Sequence, residues 1–92
     1  VLTKQEEIVL EWVCLDYERA PAIVGEVSSS LGRQATDREV FGVLLAHLGR
    51  GLVKAYLYET ETRAFKQLTR PADHDPEEVW WYCTEAGKKA LF

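Results

Sequence analysis

The stretch Thr36–Val53, TDREVFGVLLAHLGRGLV, contains a helix start, a helix stop and a strand entry, and the reading of the fold turns on it. The Thr36 hydroxyl can accept from the Glu39 amide while the Glu39 carboxylate accepts from the Thr36 amide, the reciprocal pair that opens a helix. Val40, Val43, Leu44, His47 and Leu48 then recur at three- and four-residue steps, flanked by Phe41 and Leu45, so they share one side and form a core stripe. The opposite side carries Arg38, Gly42, Ala46 and Gly49. A glycine inside a helix costs roughly 1 kcal/mol against alanine, so this side is expected to have a close neighbour. Gly49 and Gly51 end the helix, and Leu52 to Tyr58 is aromatic and β-branched enough to enter a strand directly.

Upstream, Thr3 and Glu6 form a second capping box, and Ile8, Val9, Trp12, Val13 and Leu15 make a helical core stripe ending near Tyr17. Leu10, Cys14 and Tyr17 fall on another side of that helix, which needs a cover of its own. Two covers fit: the terminal helix or strands of the same molecule, or a second copy of the chain. Arg19-Ala20-Pro21 breaks the helix, and Pro21 suits the first position of the next, whose stripe is Ile23, Val24, Val27 and Leu31 and whose stop is Gly32. The short link Gly32 to Ala35 suits a helix-turn-helix crossing into the Thr36 helix.

Downstream, polar Thr60 to Arg63 separates two strand-like runs, 52–59 and 64–68, and reads as a hairpin. Residues 71–78 carry two prolines and a string of acids around His74, which predicts an exposed loop. Val79 to Cys83 reads as a strand with aromatics facing both ways, and Thr84 can cap a last helix through Ala86, Ala90, Leu91 and Phe92.

Ninety-two residues, 47% hydrophobic, suffice for one domain spanning residues 1–92. Eleven Lys and Arg against fifteen Asp and Glu give a net charge of −4, which excludes binding to polyanions by bulk charge and requires any nucleic-acid contact to be local. Cys14 and Cys83 read as small hydrophobes in a reducing, cytoplasmic setting, and no apolar run approaches the ~18 residues of a membrane span. The start at Val1 fits a trimmed piece of a longer chain. No catalytic or metal-ligand spacing is present: His47 reads as a core histidine, and His74 between Asp73 and Asp75 lacks the rigid frame a metal needs. The sequence therefore predicts no enzyme, no metal and no cofactor.

VFGVLLAHLGRGLV, residues 40–53, followed by WWYCTEAGKKALF, residues 80–92, resembles the winged helix-turn-helix domain of bacterial and archaeal regulators, the PadR and MarR types above all. The first stretch is similar to a recognition helix running into a wing strand, and the second to a last wing strand followed by a T-E-x-G-x-x-x-L step. The resemblance implies an α+β, mainly helical fold with a three-helix core, a β-hairpin wing over about 52–83 and a short C-terminal helix. It also implies sequence-specific binding of double-stranded DNA by a transcriptional regulator, with a recognition helix over about 36–48 and a two-fold homodimer on paired half-sites. Arg33, Gln34, Thr36, Arg38 and Gly42 would then face bases or phosphates, with Arg63 and Lys66 as wing contacts. Leu10, Cys14, Tyr17, Leu91 and Phe92 would form the dimer interface. Asp37, Glu39, the acids of 73–78 and His47 depart from the family pattern. The small-residue side of the Thr36 helix suits a partner helix equally, so a winged helix that binds protein and not DNA is the alternative.

Overall fold

The computed structural model describes residues 2–91 and is an α+β fold, about half helical. Among the described residues the order is α1 (Lys4–Leu15), β1 (Glu18–Arg19), α2 (Ala20–Leu31), α3 (Asp37–Gly49), β2 (Val53–Glu59), β3 (Ala64–Leu68), a 3-10 turn (Pro71–Asp73), β4 (Trp80–Cys83) and α4 (Glu85–Leu91). The strands form one antiparallel sheet in the order β1-β4-β2-β3.

Local chemistry sets the helix ends. The capping box at Thr3 is complete, with both Thr3 and Glu6 bonds made. At α3 only half forms: Thr36 Oγ1 accepts from the Glu39 amide at 3.1 Å, while the Glu39 carboxylate forks onto Arg33 at 3.0 and 3.1 Å. Gly32 stops α2 with φ 70°. Gly49 stays inside α3, and the stop belongs to Gly51, at φ 74°. There the Gly51 amide bonds the Leu48 carbonyl at 3.0 Å and the Leu52 amide bonds the His47 carbonyl at 2.9 Å, a glycine-terminated cap that turns the chain straight into β2.

The core lies between the helices and one face of the sheet. Val9, Leu10 and Val13 of α1, Ile23 and Val27 of α2, and Val40, Leu44 and His47 of α3 are all fully buried. Val53, Ala55, Trp81 and Cys83 meet them from the sheet, and Phe41 packs edge-on to Trp81 with centroids 5.7 Å apart. His47 Nε2 bonds the Glu6 carbonyl at 3.0 Å, and because a carbonyl only accepts, Nε2 carries the hydrogen. Arg50 reaches Glu6 Oε2 at 3.3 Å, so α1 and α3 are pinned twice at one place.

Further expectations are corrected, among them Leu15 and Leu31, read as core-stripe residues but 71% and 36% exposed. The connection 71–78 is not wholly exposed, since Pro71 is buried within the 3-10 turn and Arg19 donates to the Glu77 carbonyl at 3.1 Å. The strand β1, absent from the sequence reading, closes the sheet by pairing Glu18 with Trp81 and Arg19 with Trp80. No helix among the described residues is long and apolar enough to cross a membrane.

Candidate nucleic-acid interface

The turn between α2 and α3 is held by side chains bonding nearby backbone. Ser28 Oγ accepts from the Ala35 amide at 2.8 Å, and Gln34 Nε2 donates to the Ala35 carbonyl at 3.0 Å. Arg33 lies against Glu39, and the fork raises the guanidinium pKa while holding the Glu39 carboxyl below its usual range. Its charge is matched locally, so Arg33 and Glu39 together present a neutral pair beside the start of α3. Thr36 is occupied as the cap.

Arg38 is exposed, and four residues on, Gly42 is exposed as well, with Ala46 and Gly49 completing the row. The close neighbour expected over this side is not from the same chain: a Cβ built at Gly42 or Gly49 meets nothing within 4 Å. The side is open along its length. Arg63 sits at the end of the β2–β3 turn in the left-handed region, φ 53°, with its side chain in solvent. Lys66 on β3 is exposed and lies 3.5 Å from Glu59 Oε1. Of the seven nominated residues, Arg38, Gly42 and Arg63 are therefore exposed without such a pairing, while Arg33 and Lys66 bring acidic partners.

The five nominated dimer residues do not form one surface. Leu10 is fully buried in the core, because the side of α1 that carries it faces the sheet of its own molecule, and this corrects its place at an interface. Tyr17 is on the outer face of the sheet, stacked on Phe65 with centroids 3.8 Å apart and on Tyr82 at 4.8 Å. Cys14 and Leu91 share a groove of about 460 Å³ with Glu7, Glu11, Leu15 and Lys88, where Leu15 is 71% exposed. Phe92 lies outside the described residues. Burial and a hydrogen bond with Cys83 push the Cys14 thiol up to about 12, which keeps it protonated and a poor nucleophile at neutral pH.

The sequence reading missed the outer face of the sheet. Tyr56, Tyr58, Phe65, Trp80 and Tyr82 cluster there with Tyr17, through stacked and edge-on contacts between 3.8 and 6.3 Å. Arg19 lies over the Trp80 ring at 5.0 Å and the Lys88 ammonium over Tyr82 at 5.9 Å. The signal was available as alternation: Lys54, Tyr56 and Tyr58 share one parity in β2, as Trp80 and Tyr82 do in β4.

The T-E-x-G step has a structural cause. Thr84 Oγ1 donates to the Gly51 carbonyl at 2.7 Å and accepts from the Gly87 amide at 3.1 Å, capping α4 against the α3–β2 junction. The Thr84 amide donates to the Leu52 carbonyl at 2.9 Å, and a Cβ on Gly87 would fall onto that same carbonyl oxygen. No family model and no curated protein matches this chain.

Proposed function

We propose that the chain is a winged helix-turn-helix domain that binds double-stranded DNA as a transcriptional regulator or as the DNA-binding part of one, with α3 entering the major groove. The open side of α3 carries this reading: Arg38 stands exposed near its start, and Gly42, Ala46 and Gly49 leave nothing between the helix backbone and an approaching groove wall. Support comes also from the order of elements. Helices α1, α2 and α3 precede β2, β3 and β4, with β1 between α1 and α2 pairing with β4, and β3 folds back on the outer edge of β2 to widen the wing. A two-fold pairing of chains would use the groove between α1 and α4 at Cys14 and Leu91.

Binding of the purified chain to a random duplex pool across a salt series, with the bound sequences read, tests the proposal. A two-fold motif and affinity that falls steeply as salt rises are expected. Arg38→Ala should weaken the selected site by about 1–3 kcal/mol, and Lys66→Ala should weaken all sequences alike with a shallower salt slope. Unchanged affinity in both variants would remove α3 and the wing as the contacts.

One observation favours a second reading, a winged helix that binds protein. Arg33 is neutralised by Glu39 and Lys66 by Glu59, which leaves Arg38 as the exposed cation on the α3 side beside a bare row of small residues suited to a partner helix. Absence of duplex binding at low salt would favour it.

A further inference from the structure

The outer face of the sheet is built differently from the rest of the surface. By register, Arg19, Trp80, Tyr56 and Gln67 form one row across the four strands, Tyr82 and Lys54 a second, and Tyr58 and Phe65 a third. Tyr58 is 43% exposed, and the other rings are half-buried by one another and by Tyr17. No strand carboxylate occupies an outward register position: Glu18 and Glu59 have the opposite parity. The cations are Arg19 and Lys54 from the strands and Lys88, which reaches Tyr82 from α4. Carboxylates gather at one corner, where Glu59, Glu77 and Glu78 line a groove with Tyr58, Trp80 and Arg19, and Glu85 of α4 lies 3.7 Å from the Lys88 ammonium, which leaves Lys54 as the strand cation remote from that corner.

Aromatic faces interleaved with cations on an open sheet suit a ligand that offers flat π surfaces and negative charge together. Unpaired nucleobases on a phosphate backbone do so, whereas a duplex hides its base faces. We propose that this face binds single-stranded nucleic acid, with bases stacking on Tyr58 and Trp80 and phosphates following the Lys54 side, away from the acidic corner. A second copy of the chain is a poorer occupant. A two-fold pairing through this face brings a second set of the same three cations into the contact, whereas a polyanion adds none. The site is separate from α3, so it stands whether or not the duplex reading does.

The test is anisotropy of a labelled oligothymidylate of about 12 nucleotides, a length within the usual site size of stacking platforms. The same strand annealed to its complement is measured in parallel, with the full chain throughout. Single-strand binding that weakens with salt is expected, with quenching of tryptophan emission as bases stack on Trp80. Tyr58→Ala and Lys54→Glu each change an exposed side chain, and each should weaken single-strand binding about tenfold while the urea midpoint of unfolding stays near that of the parent. Lys4→Ala, a cation of α1, should leave it unchanged. No single-strand binding at low salt, or binding that neither Tyr58→Ala nor Lys54→Glu alters, overturns the proposal. Self-association that Lys54→Glu strengthens would also overturn it, by giving the face to a second copy. Duplex binding lost on Arg38→Ala reads α3 alone, so either site can fail without the other.

Discussion

Gly87 shows how much one absent side chain decides. Its α-carbon sits over the Leu52 carbonyl, and its amide is spent on Thr84 Oγ1, so α4 touches the α3–β2 junction at backbone distance. Gly87→Ala forces the helix away from Leu52 and disturbs the Thr84 bonds at the same time. A loss of about 1–3 kcal/mol is expected in urea unfolding, the range for overpacking a close contact. Gly42→Ala meets open space and improves helix propensity, so it is the matched comparison, expected to hold or raise stability. Both glycines are equally visible in the sequence. Only the packing partner tells them apart, and that partner is Leu52 for one and solvent for the other.

Among the elements, the joint between α1 and α3 makes stability depend on pH. His47 is fully buried, its Nε2 hydrogen is given to Glu6, and Nδ1 has no partner. Protonation would place a second N–H in the core with no acceptor, and burial accordingly holds the imidazole pKa below its ordinary 6.5. The unfolded chain therefore binds more protons than the folded one as pH falls through 6.5, and stability present above that value is lost on acidification until the folded-state pKa is passed. Urea midpoints should be lower at pH 5.5 than at pH 7.5, and His47→Gln should remove most of that difference while lowering both values. A midpoint independent of pH in the parent chain would contradict this account. Elements fixed by local chemistry were legible in the sequence: the caps at Thr3, Thr36 and Thr84, the stop at Gly32, and the two-sided strand at Trp80 to Cys83. The two-residue β1 was not, because its extended shape comes from pairing with β4 and not from its own residues. The split fate of the nominated α3 residues was illegible for a like reason, since Arg33 finds Glu39 only once the turn has brought them together.

For the whole molecule, one core serves the four α-helices among the described residues and one face of the sheet, and Leu10 stands inside it. Leu10→Ala should cost about 2–5 kcal/mol, as for a buried leucine with little room to relax. The loss should be the same at every protein concentration; a loss that shrank as concentration rose would return Leu10 to an interface between copies. Most of the helical part of this architecture was readable from apolar spacing, but Leu15 and Leu31, read as core, lie exposed at the C-terminal ends of α1 and α2, where no neighbour covers the stripe. The aromatic face was not readable, since six rings spread over residues 17 to 82 declare themselves a cluster only after the strands are ordered.

The pairing of β1 with β4 joins positions more than sixty residues apart, and β4 is also the strand that lies between β1 and β2. Helices α1 to α3 and the β2–β3 hairpin close only short loops, but the sheet is completed by the segment that arrives last, against an entropic cost that grows with the span it closes. On a chain emerging from the ribosome, Tyr17 and Arg19 wait without Tyr82 and Trp80 until almost the whole domain has been made. The aromatic face is thus assembled only once β4 has been made, and a truncation before Trp80 leaves the first strand and its tyrosine with nothing to lie against.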